Sequence, residues 1–446
     1  MQGRSPFVIA GMVAGGCLLL LACIAFFSIS AFYLFSHNTL LDALAPTASN
    51  RIVYVGNDSN IYVVEPNGKN RVSLTQDGDG NGPLRYDYPV WAPDGRHLAF
   101  VGMKYAGQGI DNATLYSVEP AGNNRRTLYQ SDQSFPIYLY WSPDSRYVSF
   151  LANKDNTALA LRAASLDGQT PIQELDSGSP LYWAWAPDAQ SMFLHIGGTL
   201  ADSDSAHLSL LPFGGKQTAQ PLASSPGAFQ APQWSQDGKS VLYAQQDTNN
   251  RQTLMIADAQ GQHARSLFTY VGRIAFAWSP DGNRIAYIAT PPEAGITTLG
   301  QVHVIDANGQ NDRPVGDTHA LAMLWSPNGK RLADLSIDMG GNNTSYRFQG
   351  LAQTTNALKL RWEATDMESG QVHPIAALIP TDGFISTLPY FDQYARSTTF
   401  WSPDSQQFVY TTVEANGDGS IWVADANGVN APRKIGDGGI AFWSWR

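Results

Sequence analysis

An all-β fold assembled from repeated four-stranded antiparallel units is what this sequence predicts, and three observations carry the prediction. The first is a motif: WSPDGNRIAYIA from Trp278 has near relatives in WAPDGRHLAFVG from Trp91, WSPDSRYVSFLA from Trp141 and WSPDSQQFVYTT from Trp401. The second is its recurrence, with aligned tryptophans at Trp91, Trp141, Trp185, Trp234, Trp278, Trp325, Trp401 and, in degraded form, Trp443. The third is an independent marker, a glycine closing a short turn after an apolar strand, at Gly68, Gly122, Gly168, Gly215, Gly261, Gly309, Gly370 and Gly428. A catalytic site needs its residues once, so a motif repeated this often specifies architecture.

Each element of the unit follows from its residues. Ser-Pro-Asp-Gly has the chemistry of a type I turn: Pro fixes φ at the second position, Asp accepts local amide protons, and Gly closes the fourth. One strand therefore ends at the Trp and a second begins just after, where IAYIA or LAFVG alternates over β-formers. The Gly-marked turn separates a third strand from a fourth. Units of roughly 45 residues with four strands and a fixed aromatic define a β-propeller. Low charge (15%), 41 glycines and 26 prolines suit many short strands joined by turns better than a helical bundle.

The two markers are offset, and the offset predicts how the ring closes. Gly68 has no Trp turn before it and Trp443 has no Gly turn after it. The fragment RIVYVGNDSNIYVVEPNGKNRVSLT thus supplies strands two to four of a unit whose first strand is GGIAFW at the other end of the chain. Joining both ends in one sheet covers exposed strand edges. It sets the blade number at eight, or at seven if one weak unit fails to fold as counted, with the propeller spanning residues 51–446.

Ahead of the repeats, Phe7 to Phe35 runs without a single charged side chain, longer than the roughly 20 residues that cross a bilayer core. The expected organisation is a short cytoplasmic stub (1–6), a transmembrane helix (7–35), a linker (36–50) and the propeller. Arg4 precedes the span and Asp42 is the first charge after it, which places the amino end inside and the propeller outside the cytoplasm. A cleaved signal peptide is the alternative, although its apolar core usually runs about 7–15 residues. Leu20-Leu21-Ala22-Cys23 also matches a lipoprotein cleavage box. Cys17 and Cys23 are the two cysteines of the chain, so the repeats can form neither a disulfide nor a thiolate metal site. A net charge of -10 without clustered Lys and Arg argues against a nucleic-acid partner.

The Trp-Ser-Pro-Asp-Gly units resemble the WD-like repeats of TolB-type propellers over residues 51–446, a resemblance specific for architecture and weak for function. TolB proteins carry six blades after a small α/β domain, whereas eight units and an apolar span are read here, so the Tol-Pal partnership is not implied. The layout is also similar to that of membrane-anchored dipeptidyl peptidases, which join an amino-terminal span to an eight-bladed propeller. Their hydrolase Ser, Asp and His have no counterparts here, since no G-x-S-x-G elbow occurs. Sialidase-type S-x-D-x-G-x-T-W turns are likewise not matched.

Candidate functional residues fall into three sets. Asp77, Asp79 and Asn81, in Asp77-Gly78-Asp79-Gly80-Asn81-Gly82, match the first half of a calcium loop, in which alternate oxygens converge on a hard cation. The closing acid is missing: Tyr88 stands at position twelve, with Asp87 one residue early. A solvated loop is the alternative. Tyr86, Tyr138 and Tyr182 lie just before the Trp positions, on strands that can line the central channel, where aromatic rings offer stacking surface to sugars or peptides. Ordinary packing inside the blade is the competing reading. Finally, the spacing between markers expands at GGNNTSYRFQGLAQTTN and at TDGFISTLPYFDQYAR, both on the face opposite the constant Pro-Asp-Gly turns. Long loops on a rigid scaffold commonly carry recognition, which singles out Phe384, Tyr390, Phe391 and Arg396. The chain enters its first strand at Arg51 on the constant face, which would turn that face toward the membrane. The repeated Trp and Asp are structural, and the scattered histidines suggest neither a metal site nor acid–base chemistry.

The reading is a non-enzymatic, membrane-anchored, extracytoplasmic propeller that binds a protein, peptide or glycan of the cell envelope, with no cofactor beyond the candidate calcium. The alternative is a carbohydrate-active lyase or hydrolase at the channel mouth. Clustered carboxylates there would favour the enzyme; an aromatic groove with scattered polar groups would favour binding.

Overall fold

The structure, a computed structural model, describes residues 49–446 except 108, 155–157, 169, 199–205, 215–217, 229, 248, 250, 293–297 and 339–357. The apolar span from Phe7 to Phe35 and the expansion at 340–356 lie outside the described residues. Among the described residues no helix is long and apolar enough to cross a membrane.

The repeated turn folds as its residues dictate. In the Trp278 unit, Gly282 N donates to Ser279 O (2.8 Å), closing the four-residue turn, and Gly282 sits at φ +73°. The Ser279 hydroxyl donates to Asp281 Oδ1 (2.5 Å) and accepts from Arg284 N (2.9 Å), while Asp281 Oδ1 also accepts from Asn283 N (3.1 Å). Ser142 and Asp144 repeat the pattern, as do Ser402 and Asp404. Each turn is thus held by its own polar side chains, and the motif's Asp is occupied within it.

The tryptophans tie one unit to the one before. Trp141 Nε1 donates to Val90 O (3.3 Å), Trp234 Nε1 to Ala184 O (3.2 Å), Trp325 Nε1 to Ala277 O (3.1 Å) and Trp401 Nε1 to Leu324 O (3.3 Å). In every case the acceptor lies immediately before the preceding unit's Trp. In these four units the ring fills the space between successive sheets while its N–H satisfies a carbonyl there; the buried Nε1 atoms of Trp91 and Trp278 have no such partner among the described residues.

The strands form antiparallel, mostly four-stranded sheets, the arrangement of a β-propeller. Leu84–Trp91, Leu98–Ala106, Gly109–Val118 and Arg126–Ser131 make one such meander. Two long strands, Arg313–Trp325 and Arg433–Trp443, each serve as the last strand of one unit and the first of the next, which joins units into a seven-stranded and a six-stranded sheet. The chain ends meet as expected: Ile52 pairs with Trp443, Val53 with Phe442, Tyr54 with Ala441 and Val55 with Ile440. Arg51 N donates to Ser444 Oγ (3.0 Å), and Trp443 Nε1 to Asn50 Oδ1 (2.8 Å).

One unit departs from the expected pattern. Ahead of Trp401 the innermost strand is replaced by helix α1 (Asp382–Ile385), a 3-10 turn (Leu388–Tyr390) and helix α2 (Phe391–Ser397), and Trp401 keeps only an isolated bridge to Phe408. Thr381 caps α1, its hydroxyl accepting from Phe384 N (3.4 Å). The apolar residues Phe384, Leu388 and Phe391 recur at helical rather than strand spacing, and all three are buried.

Candidate functional site: the ring axis

Topology assigns two faces. The Trp-x-P turns and the Gly-marked turns join strands at one end of each sheet, the turn face; the remaining hairpins and the connections between units lie at the other, the loop face. The strand Val372–Leu378 finishes at the loop end and Trp401 stands at the turn end. Residues 379–400 must therefore travel from one face to the other in the position of an innermost strand, and they do so as a helical plug.

The plug touches the inner strands of units all around the ring. Helix α2 packs against Pro136–Trp141, Arg273–Trp278 and Arg313–Trp325, and α1 packs against Arg433–Trp443. Tyr138 Oη donates to Gln393 O (2.7 Å), and the Tyr138 and Tyr394 rings meet edge to face at 5.0 Å. Ala231 N donates to Asp392 Oδ2 (2.9 Å). Phe384 packs edge-on to Trp362, with centroids 6.4 Å apart. Two voids beside the plug hold only about 20 Å³ each, space for a single water, so this part of the axis is filled.

This geometry corrects the expected recognition surface. Phe384 and Phe391 are core residues, 4% and 7% exposed, because the insertion folds inward and buries its apolar side. Of the four residues singled out there, Tyr390 is exposed on the loop side (44%). Tyr138 and Tyr182 do face the axis side of their units but are buried, and burial pushes both phenols well above their ordinary range. Tyr86 belongs to the blade interior: it lies edge to face with Phe100 (5.7 Å) beneath the Arg125 guanidinium (5.3 Å), and its hydroxyl donates to Asp77 Oδ1 (2.9 Å).

The candidate calcium loop is organised by its own hydrogen bonds. Asp77 accepts from Tyr86, Asp79 Oδ1 accepts from Asn81 N (2.9 Å), and Gly78 N donates to Asn60 Oδ1 (2.9 Å). The two carboxylates therefore serve different partners. Among the described residues no group of three or more His, Cys, Asp or Glu is placed to hold a metal ion.

The accessible part of the axis lies on the turn face. A cavity of about 400 Å³ is walled by Trp278 and Pro280, Trp325 and Pro327, and Trp401 and Pro403, the matching residues of three successive turns, together with Trp445. Gln236, Thr398, Thr399 and Ser444 are its neutral polar groups, and Arg396 is the one ionisable residue among the described residues that line it. Burial draws the Arg396 guanidinium below its ordinary pKa, although arginine keeps its charge. Burial also pushes the nearby Tyr140 phenol up to about 12, against the pull of Arg396. Asp392, one helical turn before Arg396, is itself raised by burial and is held by Ala231 N and Gln393 N (3.0 Å). Sequence reasoning found Arg396 but placed it on the wrong face, and it missed the cavity altogether. The W-x-P found at six of the eight Trp positions was the available signal, since residues that recur at the same end of the innermost strands gather around the axis.

The sheets and their closure define the class, an all-β protein of the propeller type. Neither a protein-family model nor a curated protein matches the sequence. Among solved structures the chain is similar to TolB from Acinetobacter baumannii, at 14% identity over 86% of this chain and 78% of that one, with a TM-score of 0.40. It is also similar to the β-propeller domain of the Trilobed protease from Pyrococcus furiosus (14% identity, 79% of this chain, 98% of that one, TM-score 0.47). A third similar structure is an oligogalacturonate lyase in complex with manganese (12% identity, 87% and 86% coverage, TM-score 0.43).

Proposed function

We propose that the chain is a non-enzymatic, eight-bladed binding propeller, tethered to a membrane through Phe7 to Phe35 and lying outside the cytoplasm, which admits part of a protein, peptide or glycan partner to its axial cavity. The make-up of the cavity carries this reading. Four tryptophans and three prolines surround four neutral polar side chains and one arginine. Such a lining stacks and orients a ligand. Hydrolysis or elimination on a sugar calls for paired titratable groups to move protons, and a lone arginine among the described lining residues does not make such a pair. The carbohydrate-active alternative therefore has less support. The count of eight is supported by pairing each Trp-marked turn with a sheet and counting the shared Arg313–Trp325 and Arg433–Trp443 strands once for each unit they serve.

The test uses the full chain in detergent. Gln236 is exposed at the rim, so Gln236→Trp should occlude the mouth without disturbing the core. Capture from cell-envelope extracts by the wild type, lost in a folded Gln236→Trp variant, supports the reading; equal capture by both counts against the cavity. Amino-terminal sequencing of membrane-extracted protein tests the tether, and a start at Cys23 or beyond residue 40 overturns it.

A further inference from the structure

We propose that the axial cavity is a carboxylate site: Arg396 receives the carboxylate of a ligand whose apolar body lies against the Trp and Pro wall. The inference rests on the binding reading above and names the chemistry of the ligand.

Three observations converge on it. Arg396 lines the cavity, and its Nε is buried without a hydrogen-bond partner among the described residues. Asp392 at i−4, the carboxylate best placed by helix geometry to pair with it, accepts from Ala231 N and Gln393 N and draws on Arg396 through space rather than through a direct hydrogen bond. Among the described residues the rest of the wall supplies no negative charge. A half-buried guanidinium that feels Asp392 only through space, with no direct bond between the two among the described residues, attracts an incoming anion strongly where water is scarce. The fold therefore holds, at the cavity wall, an arginine with hydrogen-bonding capacity that a ligand can take up.

The wall narrows the class of ligand. One guanidinium matches one singly charged planar carboxylate, which its N–H fork can grip with two parallel hydrogen bonds. A doubly charged phosphate would be only half neutralised. Trp278, Trp325, Trp401, Trp445 and the three prolines favour an apolar or aromatic body over one with many hydroxyl groups, since Gln236, Thr398, Thr399 and Ser444 could satisfy few of them. A free acid of this kind and the carboxyl-terminal residue of a peptide share the required chemistry.

Calorimetric titration of the full-length protein in detergent, with N-acetyl-L-phenylalanine against its carboxamide, tests the proposal. The acid should bind at least tenfold more tightly than the amide. That preference should vanish in Arg396→Gln and survive in part in Arg396→Lys, with melting curves showing that both variants fold. The wild-type comparison of acid and amide stands even if a variant fails to fold. The peptide Gly-Gly-Phe against its amide separates the sources: tighter binding than N-acetyl-L-phenylalanine assigns a peptide terminus, and weaker binding a free acid. Equal affinity for acid and amide, with both lost in Gln236→Trp, overturns the carboxylate site and leaves the cavity as a binding site. No heat from any probe at millimolar concentration overturns both.

Discussion

Tyr138 and Gln393 stand 255 residues apart in the chain, yet the Tyr138 hydroxyl donates to the Gln393 carbonyl at 2.7 Å in a fully buried setting. This bond fastens helix α2 to an inner strand on another part of the ring. Tyr138→Phe should leave that carbonyl unpaired and cost about 1–2 kcal/mol. Chemical denaturation would give the stability change, and hydrogen exchange should speed up selectively within 391–397. Exchange that is unchanged there would show that the bond does not secure the plug.

Phe391 should behave as a core residue. It lines a small void with Trp362, Phe384 and Leu388, and Phe391→Ala should destabilise by about 3–5 kcal/mol. Thermal melting checks this. A variant with wild-type stability and impaired binding would restore the residue to a recognition role.

His195 is wholly buried, and that burial lowers its pKa from 6.5 to about 4. Below pH 6.5 the unfolded chain takes up a proton that the folded chain refuses. Stability should therefore fall with pH between about 6.5 and 4, by on the order of 3 kcal/mol from this group alone, and then level off. Urea titrations across that range should show the slope, which His195→Gln should reduce.

At Gly282 a Cβ would meet nothing within 4 Å, but φ is +73°. Gly282→Ala should cost about 1–2 kcal/mol through backbone strain alone. Equilibrium unfolding measures it, and a neutral result would mean that the turn relaxes. Ser145 and Ser405 occupy the same position at φ +61°, so the strain is tolerated where other bonds support the turn.

Chelation offers a fifth contrast. With Asp77 engaged by Tyr86 and Asp79 by Asn81 N, adding calcium or a chelator should leave the melting temperature unchanged. A binding ion would stabilise the folded state by mass action, so a rise with calcium that Asp79→Ala removes would establish the site.

What the sequence determined by itself is the repeating part of the molecule. A turn such as Ser279 to Gly282 is held by contacts within a few residues, so its pattern can be read locally wherever it recurs. Ring closure was equally legible, because the offset between Gly68 and Trp443 is a counting relation that only pairing the chain ends can satisfy. Tertiary structure alone decided what the axis became. Phe384, Leu388 and Phe391 carry a helical period, but whether such a segment lies outside or enters the ring depends on the missing inner strand of the Trp401 unit and on acceptors and apolar walls supplied by distant strands. The same holds for Arg396: its residue type suggested binding, whereas its place on the cavity wall, with Asp392 one helical turn away bonded to Ala231 from a distant part of the chain, is set by the tertiary fold. Local hydrogen bonds write themselves into sequence spacing; the burial of a charge is settled by whatever the rest of the chain brings to it.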